Sequence, residues 1–119
     1  MKDEMVEVVV TDEFRRWYED LADADAAAVY LHVGLLEASG VALGHPYSSA
    51  IKGTKSAMRE LRIRSGRKQL RVFYAFDPTR NAVLLLGGDK TSGKKFYQDF
   101  VPRAEKLWKE YLDDYGRKK

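Results

Sequence analysis

Cysteine is absent from the 119 residues. Disulfide bridges and thiolate metal ligands are therefore excluded, and the composition suits a reducing compartment. Histidine is scarce as well, with only His32 and His45, too few for an ordinary zinc centre. No metal site and no cofactor is implied. Long apolar runs are also missing. The apolar stretch Ala26 to Leu36 is interrupted by His32 and stopped by Glu37, short of the roughly 20 residues that cross a bilayer. No membrane span is expected. The opening residues Met1 to Glu7 turn acidic at once and contain no apolar core of a secretion signal, so the expected location is the cytoplasm.

Carboxylates are scarce in one region in particular. Residues 52–95 hold 12 Lys/Arg against 3 Asp/Glu, net +9, whereas residues 1–51 hold 3 against 10, net −7. The formal net charge of +3 thus conceals an acidic first half and a basic middle. With 45% hydrophobic composition, residues 1–119 have the size and apolar content of one domain. Cations with so few balancing carboxylates suit a polyanion such as nucleic acid. An ordinary solvated sheet face would have the same composition.

Val6 to Val10 is β-branched and reads as a strand. Thr11 or Asp12 then offers a helix N-cap ahead of Phe14, Trp17, Tyr18 and Leu21 at helical spacing. Asp23 or Asp25 offers a second cap, and Ala28, Leu31, Leu35 and Leu36 mark the expected buried face of a helix that Ser39-Gly40 ends. The two helices form a hairpin. Val41 to Gly53, with two glycines, a proline and a serine pair, reads as a loop. Leu61 and Ile63 alternate with Glu60, Arg62 and Arg64, as in a strand with one buried face and one wet, basic face. After a polar turn at Ser65 to Lys68, Leu70, Val72, Tyr74 and Phe76 share one face, while Arg71, Phe73 and Ala75 share the other. Asp77-Pro78 turns the chain, and Ala82 to Leu86 is apolar on both faces, as in a central strand. From Tyr97 to Tyr115 apolar residues recur every three or four positions, giving a C-terminal helix that Pro102 either starts or kinks. Trp17 falls on the apolar face of the first helix and Trp108 on that of the C-terminal helix, and both read as core. The expected fold is α+β, a small antiparallel meander with an N-terminal helical hairpin and a C-terminal helix.

Gly88 to Lys95 reads G-D-K-T-S-G-K-K and follows the phosphate-loop pattern except at its end, where Lys95 replaces the hydroxyl that would ligate magnesium. A nucleoside triphosphatase is therefore not expected. The loop amides with Lys90, Lys94 and Lys95 still suit a phosphate diester. Cleavage of RNA by its own 2′-hydroxyl needs a proton acceptor, cations for the crowded phosphorane and a proton donor for the leaving oxygen, and none of these need be a metal. Arg71 and Lys90 are candidates for phosphate stabilisation. Tyr97 is a candidate proton carrier if nearby cations lower its pKa, and equally a core residue opening the apolar stripe. Arg62, Arg64, Arg67, Lys68, Lys94 and Lys95 are candidate RNA contacts. His32 and His45 read as structural or solvated.

The segments RELRIRSG, LRVFYAFDPTRNAVLLLGGDKTSGKKFY and VPRAEKLW, with the element order around them, resemble the RelE/ParE toxin superfamily and within it the phage-derived Gp49 or HigB-like branch. The resemblance implies a RelE-like fold and a type II toxin. Such a toxin acts as a ribosome-dependent, metal-independent mRNA endoribonuclease that inhibits translation, and a cognate helix-turn-helix antitoxin holds it inactive. It also implies roles: Arg71 matches the strand arginine near the scissile phosphate, Lys90 the basic residue ending the last strand, and Tyr97 the tyrosine that opens the C-terminal segment. Arg62 and Glu60 occupy places where the RelE type has lysines, with the charge reversed at Glu60. Two other readings share these features: a ParE-like gyrase poison, and a nucleic-acid-binding module without activity.

Overall fold

The computed structural model describes residues 5–91 and 93–117. The acidic residues 1–4 and Ser92 of the glycine-rich loop lie outside the described residues. The β-branched run forms β1 (Val8–Val10), after which the Thr11 hydroxyl accepts the Phe14 N–H at 3.0 Å and caps α1 (Asp12–Glu19). The same hydroxyl donates to the Leu85 carbonyl at 2.7 Å, so the cap also fastens α1 to the sheet. There follow α2 (Asp23–Ser39), a 3₁₀ turn at Gly40–Ala42, β2 (Ser48–Ala50), β3 (Arg59–Ser65), β4 (Lys68–Phe76), β5 (Ala82–Asp89) and α3 (Phe96–Arg117).

The strand order is β1-β5-β4-β3-β2. β3 to β5 form the expected antiparallel meander, which β2 extends by one strand, but β1 lies parallel to β5, so the sheet is mixed. The helical hairpin and the meander lie between these two strands, and parallel pairing requires a long connection of this kind. β2 falls inside the segment read as loop. Its Ser-Ser-Ala sequence carries no strand signal, and pairing with Arg59 to Leu61 is what makes it a strand. Tyr74 is fully buried and shares a 2.6 Å bond with Ser48 Oγ, on which Arg59 Nε also donates at 3.0 Å. β2 is thereby tied across β3 to β4.

α1 and α2 cover one sheet face, packing Phe14, Val29 and Leu36 on Leu61, Ile63, Leu70, Val72 and Tyr74. α3 covers the other, packing Phe96, Ala104 and Trp108 on Met58, Phe73, Ala75, Val83 and Leu85. Two expectations about α2 are corrected. Leu31 and Leu35 are 68% and 37% exposed, because the helix is apolar nearly all round and its pattern does not single out a buried side. Its N-cap is Ala22 without a side-chain bond, and Asp25 reaches instead to Ser65 and Lys68 at the β3–β4 turn. α3 continues through Pro102 without ending there. Among the described residues no helix is long and apolar enough to cross a membrane.

Candidate functional site

Strand alternation directs Glu60, Arg62 and Arg71 to the sheet face that carries α3, with Arg62 directly opposite Arg71 and Glu60 opposite Phe73. Two like charges paired across a ladder repel. Glu60, diagonal to Arg71 and two residues from Arg62, relieves that repulsion. Its Oε2 accepts Arg62 Nη1 at 3.2 Å and the Ser49 hydroxyl at 3.3 Å, and its Oε1 accepts the Tyr97 hydroxyl at 2.7 Å. Arg71 Nε stands 3.7 Å from the same Oε1. The wet face expected for β3 is therefore wet at Arg62 and Arg64 but buried at Glu60. Glu60 is 4% and Arg71 5% exposed, because the first turn of α3 and the β2 segment close over them.

Arg71 is held with unfinished bonding. Its Nη1 donates to the Leu70 carbonyl at 3.0 Å, while its buried Nε has no hydrogen-bond partner. The anion that faces this Nε is the Glu60 carboxylate, near enough for charge attraction but too far for a hydrogen bond. Gly88 lies opposite Arg71, and a Cβ there would overlap the Phe100 and Phe96 rings. The missing side chain lets the start of α3 settle on the strand beside the arginine.

Tyr97 is packed at its ring and hydrogen-bonded at its hydroxyl. Its ring is stacked on Phe73 at 6.0 Å and met edge-on by Phe96 at 5.1 Å, while its hydroxyl reaches Glu60. Burial and the adjacent Glu60 carboxylate raise its pKa, outweighing Arg71. The expectation that cations lower it is thereby reversed. The phenol is held protonated and serves as a donor, and the acceptor beside it is Glu60.

The remaining predicted residues divide. Lys90 stands at the end of β5, its N–H on the Gln69 carbonyl at 2.8 Å, and its ammonium makes no bond to Glu60, Arg71 or Tyr97. Arg64, Arg67, Lys94 and Lys95 are exposed. Lys68 is neutralised by Asp25 of α2 at 2.6 Å, where Ser65 also donates at 2.6 Å. Lys68 and Ser65 hold the Asp25 carboxyl below its usual range, and Asp25 raises Lys68 in turn. This pair staples the β3–β4 turn to α2. Sequence reasoning treated Glu60 only as a reversed charge. The signal for it was present, a lone carboxylate among alternating cations. Ser49 carried no signal, because nothing marked its strand.

Two hollows flank Arg62. One, of about 650 Å³, is lined by Ser49, Lys52, Glu60, Tyr97 and His45, which contacts neither acid nor phenol. The other, of about 430 Å³, is lined by Tyr47, His32, Arg64 and Arg71. Both are of a size that suits a small ligand or one unit of a polymer. Among the described residues no group of three or more His, Cys, Asp or Glu is arranged to hold a metal ion.

Comparison with known proteins bears on family and fold. The family model described as phage-derived protein Gp49-like matches residues 16–109. The candidate toxin HigB3 of Mycobacterium tuberculosis (strain ATCC 25618 / H37Rv) is 35% identical over 107 residues, covering 88% of this chain and 92% of the relative. The candidate toxin HigB2 of the same organism is 31% identical over 102 residues, covering 83% of this chain and 51% of its own length. Among solved structures, a chain of the archaeal RelE-RelB complex from Pyrococcus horikoshii OT3 superposes with a TM-score of 0.55 at 17% identity. It covers 75% of this chain and 99% of that one. That likeness shows the RelE-like fold.

Proposed function

The chain belongs to the Gp49-like family of phage-derived proteins, and from that premise we propose that it is the toxin of a type II toxin-antitoxin pair. Its activity is ribosome-dependent cleavage of mRNA, and a cognate helix-turn-helix antitoxin neutralises it. The names of the HigB relatives support the toxin role, and the RelE-RelB neighbour supports an antitoxin as partner. The observation that carries the chemistry is the buried Glu60 carboxylate, in contact at once with Tyr97, Arg62 and Arg71.

In this reading the RNA phosphate enters against Arg71 and Arg62. Glu60 takes the proton of the 2′-hydroxyl as that oxygen bonds to phosphorus. The guanidinium groups balance the charge gathering on the phosphorane. The bond from phosphorus to the 5′-oxygen breaks, and the Tyr97 phenol gives that oxygen its proton. The products are a 2′,3′-cyclic phosphate and a 5′-hydroxyl. The 2.7 Å bond between Tyr97 and Glu60 then returns the proton and resets the site, with no metal required. Lys90, Arg64, Arg67, Lys94 and Lys95 contribute at the rim by attraction to the RNA backbone. Induced expression in growing bacteria with 5′-end mapping of cellular RNA tests this. Cuts confined to translated frames in the wild type and lost in Arg71→Ala are the expected result. Growth arrest with intact mRNA and broken DNA would transfer the reading to a gyrase poison.

A further inference from the structure

The 430 Å³ trough on the far side of Arg62 has an aromatic wall that the cleavage chemistry does not use. Tyr47 is 43% exposed, so the face of its ring is open to a partner that stacks on it. Its backbone is fixed at both ends, the N–H on the Gly44 carbonyl at 3.0 Å and the carbonyl accepting Arg62 N–H at 2.8 Å. The His32 ring meets it edge-on at 6.0 Å and is itself held by a 2.8 Å contact to the Ala28 carbonyl. An exposed ring with a fixed backbone thus lines one trough together with Arg62, Arg64 and Arg71. Cations for a phosphate and a flat ring for a base are the two components of single-stranded nucleic-acid recognition.

We propose that this trough is a nucleobase subsite, in which Tyr47 stacks on the base of a nucleotide whose phosphate rests on Arg62 and Arg71. The two hollows then receive the nucleosides on either side of that phosphate. Calling that phosphate the scissile one rests on the nuclease reading, but the subsite itself does not. Because every base has an aromatic face, Tyr47 contributes affinity without strong sequence choice.

The test measures binding, separately from cleavage. A short single-stranded RNA, 2′-O-methylated so that it cannot be cut, is titrated with the isolated protein beside versions carrying one abasic position, scanned along the strand. Stacking of ordinary strength corresponds to about a tenfold change in Kd. The wild type is expected to lose about tenfold at one abasic position. Tyr47→Ala is expected to lose the same factor on the intact RNA and to become indifferent to that position, while Tyr47→Phe keeps the wild-type pattern. Wild-type affinity in Tyr47→Ala, persisting sensitivity to the same abasic position, or absence of RNA binding by the folded wild type would each overturn the subsite. Tyr47-dependent binding without mRNA cleavage in cells would instead sink the nuclease reading and leave the subsite standing.

Discussion

Replacing Glu60 by Gln keeps the shape of the side chain and removes the charge that Arg71 faces. The separation of 3.7 Å between Arg71 Nε and Glu60 Oε1 corresponds to about 4 kcal/mol of attraction at an effective dielectric of about 20. Breaking a buried pair by removing one partner costs roughly 3–5 kcal/mol, since the remaining charge stays desolvated. Arg62 is 37% exposed at its side chain and can turn to solvent, whereas Arg71 cannot. The expected loss is therefore about 3 kcal/mol, mostly the isolation of Arg71. For 119 residues, an unfolding entropy near 2.1 cal/mol/K per residue makes this a fall of roughly 12 °C in Tm. Urea and thermal unfolding followed by circular dichroism measure both quantities. Adding Arg71→Met to Glu60→Gln removes the stranded charge and is expected to recover most of the loss. A Glu60→Gln protein within about 0.5 kcal/mol of the wild type, or a double variant worse than the single, would refute the claim that these two charges support each other.

Four further outcomes follow from the same geometry. Burial opposes ionisation of Asp77, but the Tyr111 hydroxyl and the N–H and side-chain donors of Asn81 and Thr79 outweigh it and lower its pKa. A depressed carboxyl stabilises above its unfolded pKa and loses that contribution as pH falls through the folded value. Asp77→Ala should then cost roughly 3 kcal/mol at pH 7, a difference that shrinks, without vanishing, in unfolding measured below pH 4, the usual carboxyl range. Tyr97 and Tyr111 are raised, so the stability they give is complete below pH 10 and lost above it, visible as an alkaline fall in Tm that Tyr111→Phe reduces. On α2, Leu36→Ala should cost about 2–5 kcal/mol and Leu31→Ala less than about 0.5 kcal/mol. Gly88→Ala, which pushes a methyl into the Phe96 and Phe100 rings, should cost roughly 1–3 kcal/mol and reduce cleavage by shifting Tyr97.

Much of this molecule was legible as sequence where one physical signal acted alone. The β4 alternation assigned Leu70, Val72 and Tyr74 to one face and Phe73 and Ala75 to the other, and the two cores follow it. The Thr11 cap and the central position of Ala82 to Leu86 were readable for the same reason. Where a helix is apolar nearly all round, as α2 is, periodicity could not choose between Leu31 and Val29. β2 was invisible because pairing, rather than propensity, makes it a strand. The candidate site was legible in its cations but not in its centre. Charge counting found Arg62 and Arg71, yet the value of Glu60 depends on register, which brings it diagonal to one arginine and beneath a tyrosine 37 residues later. The direction of the Tyr97 shift depends on that same neighbour.

The most direct test of the central claim is end-group analysis of mRNA cut by the purified protein on translating ribosomes, with Glu60→Gln and Arg71→Ala beside it at a temperature where all are folded. The account predicts 2′,3′-cyclic phosphate and 5′-hydroxyl ends, reduced at least a hundredfold in Glu60→Gln, the lower range for loss of a general base. Ends bearing 5′-phosphate, or undiminished cleavage by Glu60→Gln, would contradict it.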